Sequence, residues 1–184
     1  MRAGLNKLRN SEASEIAEAA LVMPVVFIFL LGIIWFGRAF NIYSTITQAA
    51  QQGAIAAARP TCATCLAPGN PWGGNFQGDQ NVVNTVYGVM QASSLDTSQI
   101  ISSATTLPPV FCQLPSPLSG SCSTGSSNIT VCREVLLNPG STSPLPVCGS
   151  TVSFRYPIPL YVPFTSLTTG SFTVSADAQS RMEN

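Results

Sequence analysis

The six cysteines are the residues of this chain best suited to chemistry. They are Cys62, Cys65, Cys112, Cys122, Cys132 and Cys148. The pattern Cys62-Ala-Thr-Cys65 could supply a reactive thiolate or half of a zinc site. A redox site of this kind needs a βαβ context, and a zinc site needs a second such pair or a histidine; the sequence offers none of these. We therefore predict structural disulfides, which are typical of an oxidising compartment.

The pairing of these cysteines does not follow from their spacing, because many pairings are open to six of them. We predict nearest-neighbour pairing. Cys112 with Cys122 would close a Pro- and Ser-rich loop, and Cys132 with Cys148 would tie two strand ends. Each bond would contribute about 2–4 kcal/mol by restricting the unfolded chain.

The charged residues argue against catalysis and against nucleic-acid binding. With no histidine, the chain lacks the commonest general base and metal ligand. Asp79, Asp96, Glu134 and Asp177 show no paired spacing, so we expect solvated surface charges. Only 8 basic residues balance 8 acidic ones, which leaves no basic face for phosphates. The sequence predicts no enzyme, no cofactor or metal, and no nucleic-acid partner.

We expect one N-terminal apolar segment to anchor the chain in a membrane. Ala19 to Gly37 contains no charge and, as a helix, would span roughly 28 Å, the thickness of a hydrocarbon core. Arg2, Lys7 and Arg9 precede it, so the positive-inside rule places the N-terminus in the cytoplasm. A cleaved secretory signal is the competing interpretation, but this apolar run is long and follows several glutamates.

The helix should continue beyond the membrane and carry an exported domain. Phe40, Tyr43, Ile46, Thr47, Ala50 and Ala54 recur at helical spacing, and Pro60 ends the pattern. We predict a cytoplasmic segment 1–18, a transmembrane helix 19–38, an amphipathic continuation 39–59 and an extracytoplasmic α+β domain 60–184.

Within that domain, the sequence predicts one helix and a small antiparallel sheet. Asp79 is the predicted N-cap of a helix through residue 93. The β-rich segments 129–137, 151–161 and 171–178 are separated by Pro, Gly and Ser clusters, which favours three strands.

Both ends of the chain resemble a known family. The N-terminal motifs are Glu18, Ala-Leu-Val-Met-Pro24, Leu31-Gly32-Ile33-Ile34, Phe36-Gly37-Arg38, Gln48-Ala49-Ala50 and Gly53-Ala54; the C-terminal ones are Val152 to Pro157, Pro163-Phe164, Ser175 to Ala178 and Arg181-Met182-Glu183. They resemble TadE-like proteins, the pseudopilins or minor pilins of the tight-adherence (Flp, type IVc) pilus system. The resemblance implies a long N-terminal helix packed on a small sheet.

The resemblance also implies processing and assembly. A prepilin peptidase would cut between Ala13 and Ser14, removing a leader 1–13 and leaving Glu18 at the fifth mature position. This sequence has Ala13 where the family usually has glycine, and Ala19 where an aromatic residue often follows the glutamate. Glu18 would set axial register by pairing with the terminal amine of a neighbouring subunit, with Pro24 six residues on; otherwise it only ends the apolar run near the headgroups.

The predicted function is therefore that of a structural minor pilin or pseudopilin held in the inner membrane. Its expected partners are membrane lipid, other pilin subunits, the Tad assembly machinery and prepilin peptidase. The alternative is a membrane-anchored envelope or adhesion protein that never enters a filament.

Overall fold

The computed structural model describes the chain in six stretches of backbone. They are residues 2–59, 78–103, 109–112, 120–139, 147–161 and 168–181. Side chains are described from residue 15 onward, except at residues 161, 168 and 169. The chain divides into two compact units, Met1–Asn41 and Ile42–Asn184.

A single long helix, α1, runs from Arg2 to Ala58 and includes Pro24 in its interior. It ends before Pro60, as predicted, because proline removes a backbone donor and disfavours helix in the preceding residue. It begins further upstream than the apolar segment, since residues 2–18 are rich in the helix-favouring Ala, Glu, Leu, Lys and Arg.

A second helix, α2, spans Asp79–Ala92 and presents Val82, Val83, Val86 and Met90 to the core. The predicted helix is confirmed, but the predicted cap is one residue off. The N-cap is Gly78, whose carbonyl accepts hydrogen bonds from the backbone N–H groups of the first turn. Asp79 is instead the first helical residue, where its negative charge interacts favourably with the positive N-terminal end of the helix dipole.

Four antiparallel strands form one sheet in the order β1-β2-β3-β4. They are β1 Cys122–Thr124, β2 Thr130–Leu136, β3 Cys148–Tyr161 and β4 Thr168–Arg181. The last three strands and the α+β class confirm the sequence predictions. β1 was not predicted, because its three residues lie in a stretch rich in Ser, Gly and Pro and gain their pairing only from β2.

The disulfides among the described residues show that nearest-neighbour pairing is wrong. Cys122 bonds to Cys132, and Cys112 bonds to Cys148. Cys122 and Cys132 are register partners across the β1–β2 hairpin, with Cα atoms 4.0 Å apart. Strand register, rather than distance along the chain, therefore decides this pair.

The bond between Cys112 and Cys148 follows from pairing at the other end of β2. The backbone N–H of Cys112 donates to the carbonyl of Glu134, and Leu136 is the register partner of Cys148. Both cysteines therefore flank the end of β2, and their Cα atoms are 6.0 Å apart. The sequence could not show this, because the segment around Cys112 does not have the length or alternation of a strand.

The core lies where the second half of α1 and α2 meet the sheet. On α1 its fully buried members are mostly alanine, with Ile46 the larger exception, whereas the other elements contribute larger side chains. The buried residues include Ile46, Ala49, Ala50, Ala54, Ala57, Val82, Val86, Met90, Val131, Val152 and Phe154. Alanine on α1 lets the helix backbone approach its neighbours closely, while Val, Met and Phe fill the space between them.

Gly53 marks the closest approach of α1 to this core. A Cβ atom built at Gly53 would lie 2.7 Å from a methyl carbon of Val86 and 3.5 Å from one of Val152. The first distance is shorter than carbon atoms tolerate, so a side chain at this position would require Val86 to shift. A helix glycine costs about 1 kcal/mol relative to alanine, and the close packing offsets this cost.

Gly53→Val should lower the free energy of unfolding by about 1–3 kcal/mol, because the added methyl groups overpack the core. Gly88→Val is the matched control, since Gly88 lies in α2 with nothing within 4 Å of an added Cβ. The control should change stability by less than about 0.5 kcal/mol. Urea denaturation of the full oxidised chain in detergent, followed by near-UV circular dichroism, measures both; equal effects would contradict the packing described for Gly53.

Candidate membrane and assembly helix

The first half of α1 exposes apolar side chains on all sides. Between Ile16 and Phe40, most of the large apolar residues are 45–76% exposed, and Leu31 and Trp35 are half-buried. The exposed residues include Leu21, Val25, Phe27, Ile28, Phe29, Ile33, Ile34 and Phe36. The most apolar 18-residue window of Glu15–Ala58 has a mean hydropathy of 2.7, and 0% of that window is buried within the chain. A core helix of a soluble protein can be this apolar, but its residues would be buried. Within the described residues, this helix is long and apolar enough to cross a membrane.

The residues predicted to govern processing and register all lie on α1. Ala13 and Ser14 belong to its continuous helical backbone. Glu18 and Pro24 follow on the same helix, with both side chains exposed. The side chain of Glu18 makes no hydrogen bond or ion pair with the described residues. An exposed carboxylate at the start of an apolar segment is therefore open to a cationic partner.

Pro24 lies inside α1 without ending it. The helix runs through this position although proline cannot donate its backbone hydrogen bond. Such a residue is tolerated in membrane helices, where local adjustment satisfies the freed carbonyl. Pro24 thus departs from ordinary helix preferences near the start of the segment that carries the N-terminal family motifs.

The second half of α1 presents two different faces. One face is buried and made of small residues, with Ala49, Ala50 and Ala54 fully enclosed. The opposite face carries exposed Gln51 and Gln52. The apolar side of this part of α1 therefore faces the core of the domain, and its polar side is exposed.

The residues forming that buried face differ partly from the predicted set. Phe40 and Tyr43 are 62% and 48% exposed, whereas Ile42 and Thr45 are buried. Both exposed aromatic residues satisfy helical spacing, so spacing alone favoured them. The buried face instead contains Ile42, Thr45 and Ile46. At 3.6 residues per turn, spacing shows which residues share a face, but the position of the sheet decides which face is buried.

The sequence analysis named Gly53 only as part of a motif and did not predict its role in close packing. The available signal was a glycine inside an alanine-rich helix, where glycine is unfavourable unless close packing requires it. Its neighbours Val86 and Val152 could not be named without the fold.

Two of the acidic residues predicted to be solvated have specific structural partners. Asp79 forms an ion pair with Arg133, which ties the first turn of α2 to β2. Asp96 accepts hydrogen bonds from the hydroxyl and the backbone N–H of Ser98, at 2.7 and 2.9 Å. These bonds, the hydroxyl first, hold the pKa of Asp96 below its ordinary value.

Glu134 contradicts the prediction of a solvated charge, whereas Asp177 fits it. Glu134 is only 6% exposed, and its burial raises the pKa of the carboxyl group. It has a φ of 58° beside a register shift in β2, so the backbone irregularity turns the side chain away from ordinary strand alternation. Asp177 is exposed on β4.

The described part of the chain brings no metal-binding set together. It contains no group of three or more His, Cys, Asp or Glu residues that could hold a metal ion. Cys112, Cys122, Cys132 and Cys148 are engaged in disulfides. The Cys62-Ala-Thr-Cys65 pattern lies outside the described residues.

Comparison with known proteins gives one match. Residues 14–54 match the family model described as TadE-like protein. No curated protein and no solved structure matches the chain. The matched stretch contains every N-terminal motif from Glu18 to Ala54, and it covers the apolar half of α1 together with most of its small-residue face. The C-terminal resemblance lies outside it. The resemblance drawn from the N-terminal motifs is thus confirmed, and residues 14–54 are a TadE-like region.

Proposed function

We propose that this protein is a structural subunit, a minor pilin or pseudopilin, that takes part in assembling a tight-adherence pilus or a related secretion filament. The observation that carries the proposal is the match of residues 14–54 to the TadE-like family, a structural and pilus-associated family. That match falls on the segment where apolar side chains are exposed and where Glu18 has no partner among the described residues.

The proposed topology places the N-terminus in the cytoplasm, residues 19–38 across the inner membrane and residues 60–184 outside. Three observations support it. The exposed apolar stretch is long enough to cross a bilayer. Arg2, Lys7 and Arg9 precede it. The disulfides lie after it, and disulfides form in an oxidising compartment outside the cytoplasm.

The proposed assembly step moves the apolar helix from lipid into contact with neighbouring subunits. In lipid, helices associate through close packing and polar contacts, because hydrocarbon tails are as apolar as the side chains. Glu18 would then pair with the amine of Ser14 in an adjoining subunit. An unpaired carboxylate in such a site is costly, so only subunits in the correct axial position would be accepted.

The membrane role predicts that Phe27→Arg combined with Ile28→Arg removes the protein from the membrane. Two arginines at the centre of a spanning helix cost about 5–7 kcal/mol, which offsets most of the insertion energy of the apolar segment. Gln51→Arg combined with Gln52→Arg is the matched control, with the same added charge on the exposed polar face. Carbonate extraction of membranes reports the outcome; if the first variant stays in the membrane pellet like the control, this helix is not the anchor.

Processing predicts a mature protein that begins at Ser14. N-terminal sequencing and intact mass of the protein from its native host should show loss of residues 1–13. Ala13→Leu should block the cut by enlarging the residue before it, while Ala3→Leu should leave it unchanged. An intact Met1 in protein drawn from the native membrane would instead favour the membrane-anchored envelope or adhesion protein.

The register role predicts that Glu18→Gln stays in the membrane but is lost from filaments. Removing one member of a buried charge pair costs about 3–5 kcal/mol, enough to exclude the variant from assembly. Glu15→Gln removes an equally exposed carboxylate one helical turn earlier, and it should assemble normally. The measurement is the amount of tagged protein in sheared filaments relative to membranes. Equal incorporation of the two variants would remove Glu18 from the mechanism.

A further inference from the structure

The backbone of β3 fixes which groups of β4 face outward. Arg155 exchanges two backbone hydrogen bonds with Ile101, each 2.9 Å long, on the side of β3 away from β4. Arg155 therefore cannot bond to its register partner in β4, which is Ser175. In an antiparallel ladder, each residue of such a non-bonded pair points its N–H and C=O groups away from the other strand. The backbone groups of Ser175 consequently face the outer edge of the sheet.

This alternation makes the outer edge of β4 a continuous row of hydrogen-bonding groups. Every second residue shares the orientation of Ser175, and the outward set is Ser171, Thr173, Ser175, Asp177, Gln179 and Arg181. The register from Gly149↔Arg181 to Leu160↔Gly170 contains no shift. β4 is the last strand of the sheet, and within the described residues nothing pairs with this edge.

On the opposite side of the sheet, the exposed end of β3 is protected against pairing with another strand. β3 extends past the segment that pairs with Arg155, and Pro157 and Pro159 occupy the two following outward positions there. Proline has no N–H to offer an incoming strand, and it commonly protects exposed edges. β4 has neither proline nor bulge along Ser171–Arg181. Prolines therefore protect the exposed edge of β3 from strand pairing, whereas the described edge of β4 has no such protection.

Within Ser171–Arg181, the outer edge of β4 carries two charged residues, and they are of opposite sign. Asp177 and Arg181 are both exposed and point to the same face of the sheet, four residues apart. Along a strand that spacing is about 13 Å, too far for a mutual ion pair. Neither residue makes a hydrogen bond or an ion pair with the described residues. Both charges are therefore available to a partner outside the sheet.

We propose that β4 pairs antiparallel with β4 of a second copy of this chain, with Gln179 on the two-fold axis. In this register Asp177 of each copy lies opposite Arg181 of the other. The outward groups recur every second residue, so a shift of one residue breaks the ladder. Among the registers that keep the ladder, this one alone sets both charges against opposite ones; centring on Asp177 or on Arg181 sets like charges together. The inference stands apart from the proposed function, because it uses the sheet and not α1.

Cross-linking tests the register directly. In purified, oxidised full chain in detergent, Gln179→Cys should form a disulfide-linked dimer under mild oxidation, because its Cα atoms would be about 5.5 Å apart across the axis. Ser175→Cys is the matched control on the same exposed face, where the two copies would be roughly 27 Å apart. The cross-linked fraction should be at least about tenfold greater for Gln179→Cys. Equal fractions would overturn the proposal, whatever self-association α1 produces.

Charge exchange tests the pairing. In the Gln179→Cys background, Arg181→Asp should reduce cross-linking by about tenfold, since two attractive cross-strand pairs become repulsive. Asp177→Arg alone should do the same, and the two changes together should restore cross-linking. Failure of the double variant to recover would overturn the register. If the introduced thiol is protected from alkylation only in native membranes, and the purified chain forms no dimer, the edge belongs to a different partner and the proposal is rejected.

Discussion

The close approach of α1 to α2 and the sheet is the constraint on which the rest of the structure depends. At Gly53 an added Cβ atom would lie too close to Val86 and in contact with Val152, and alanines surround the glycine on the same face. This packing holds the second half of a long helix against a domain whose loops are rich in Ser and Pro. Alanine and glycine contribute little apolar area themselves, so the stabilisation comes from the larger residues that the close approach lets them bury.

One helix therefore serves two environments. From Ile16 to Phe40 most of its apolar side chains are exposed, and from Ile42 onward one face is buried in the core. The helix is continuous between these parts, so the same backbone belongs to the apolar segment and to the folded domain. The TadE-like match spans both parts and ends near the glycine of closest approach. A segment serving only as an anchor would not need its second half to pack so closely.

The sheet shows how a small domain can treat its two edges differently. β3 places Pro157 and Pro159 where an outward N–H would invite another strand, while β4 keeps every outward N–H and adds one charge of each sign. Exposed edges are usually blunted because they recruit other strands. The Cys122–Cys132 bond and the segment around Cys112 cover the β2 edge instead. The difference between the two edges depends both on where the prolines and charges occur in the sequence and on the register that points them outward.

The sequence alone determined the local features of this protein. Apolar length predicted a helical segment long and apolar enough to cross a membrane, and Pro60 predicted the end of α1. Apolar spacing predicted α2 and three of the four strands, since each of these elements depends on neighbouring residues. The motifs around Glu18 and Pro24 predicted the match of residues 14–54 to the TadE-like family model. Only the tertiary structure decided the disulfide partners, the burial of Glu134 and the side on which α1 packs, together with the short strand β1. These features depend on register and contact between residues distant in the chain, to which local spacing is blind.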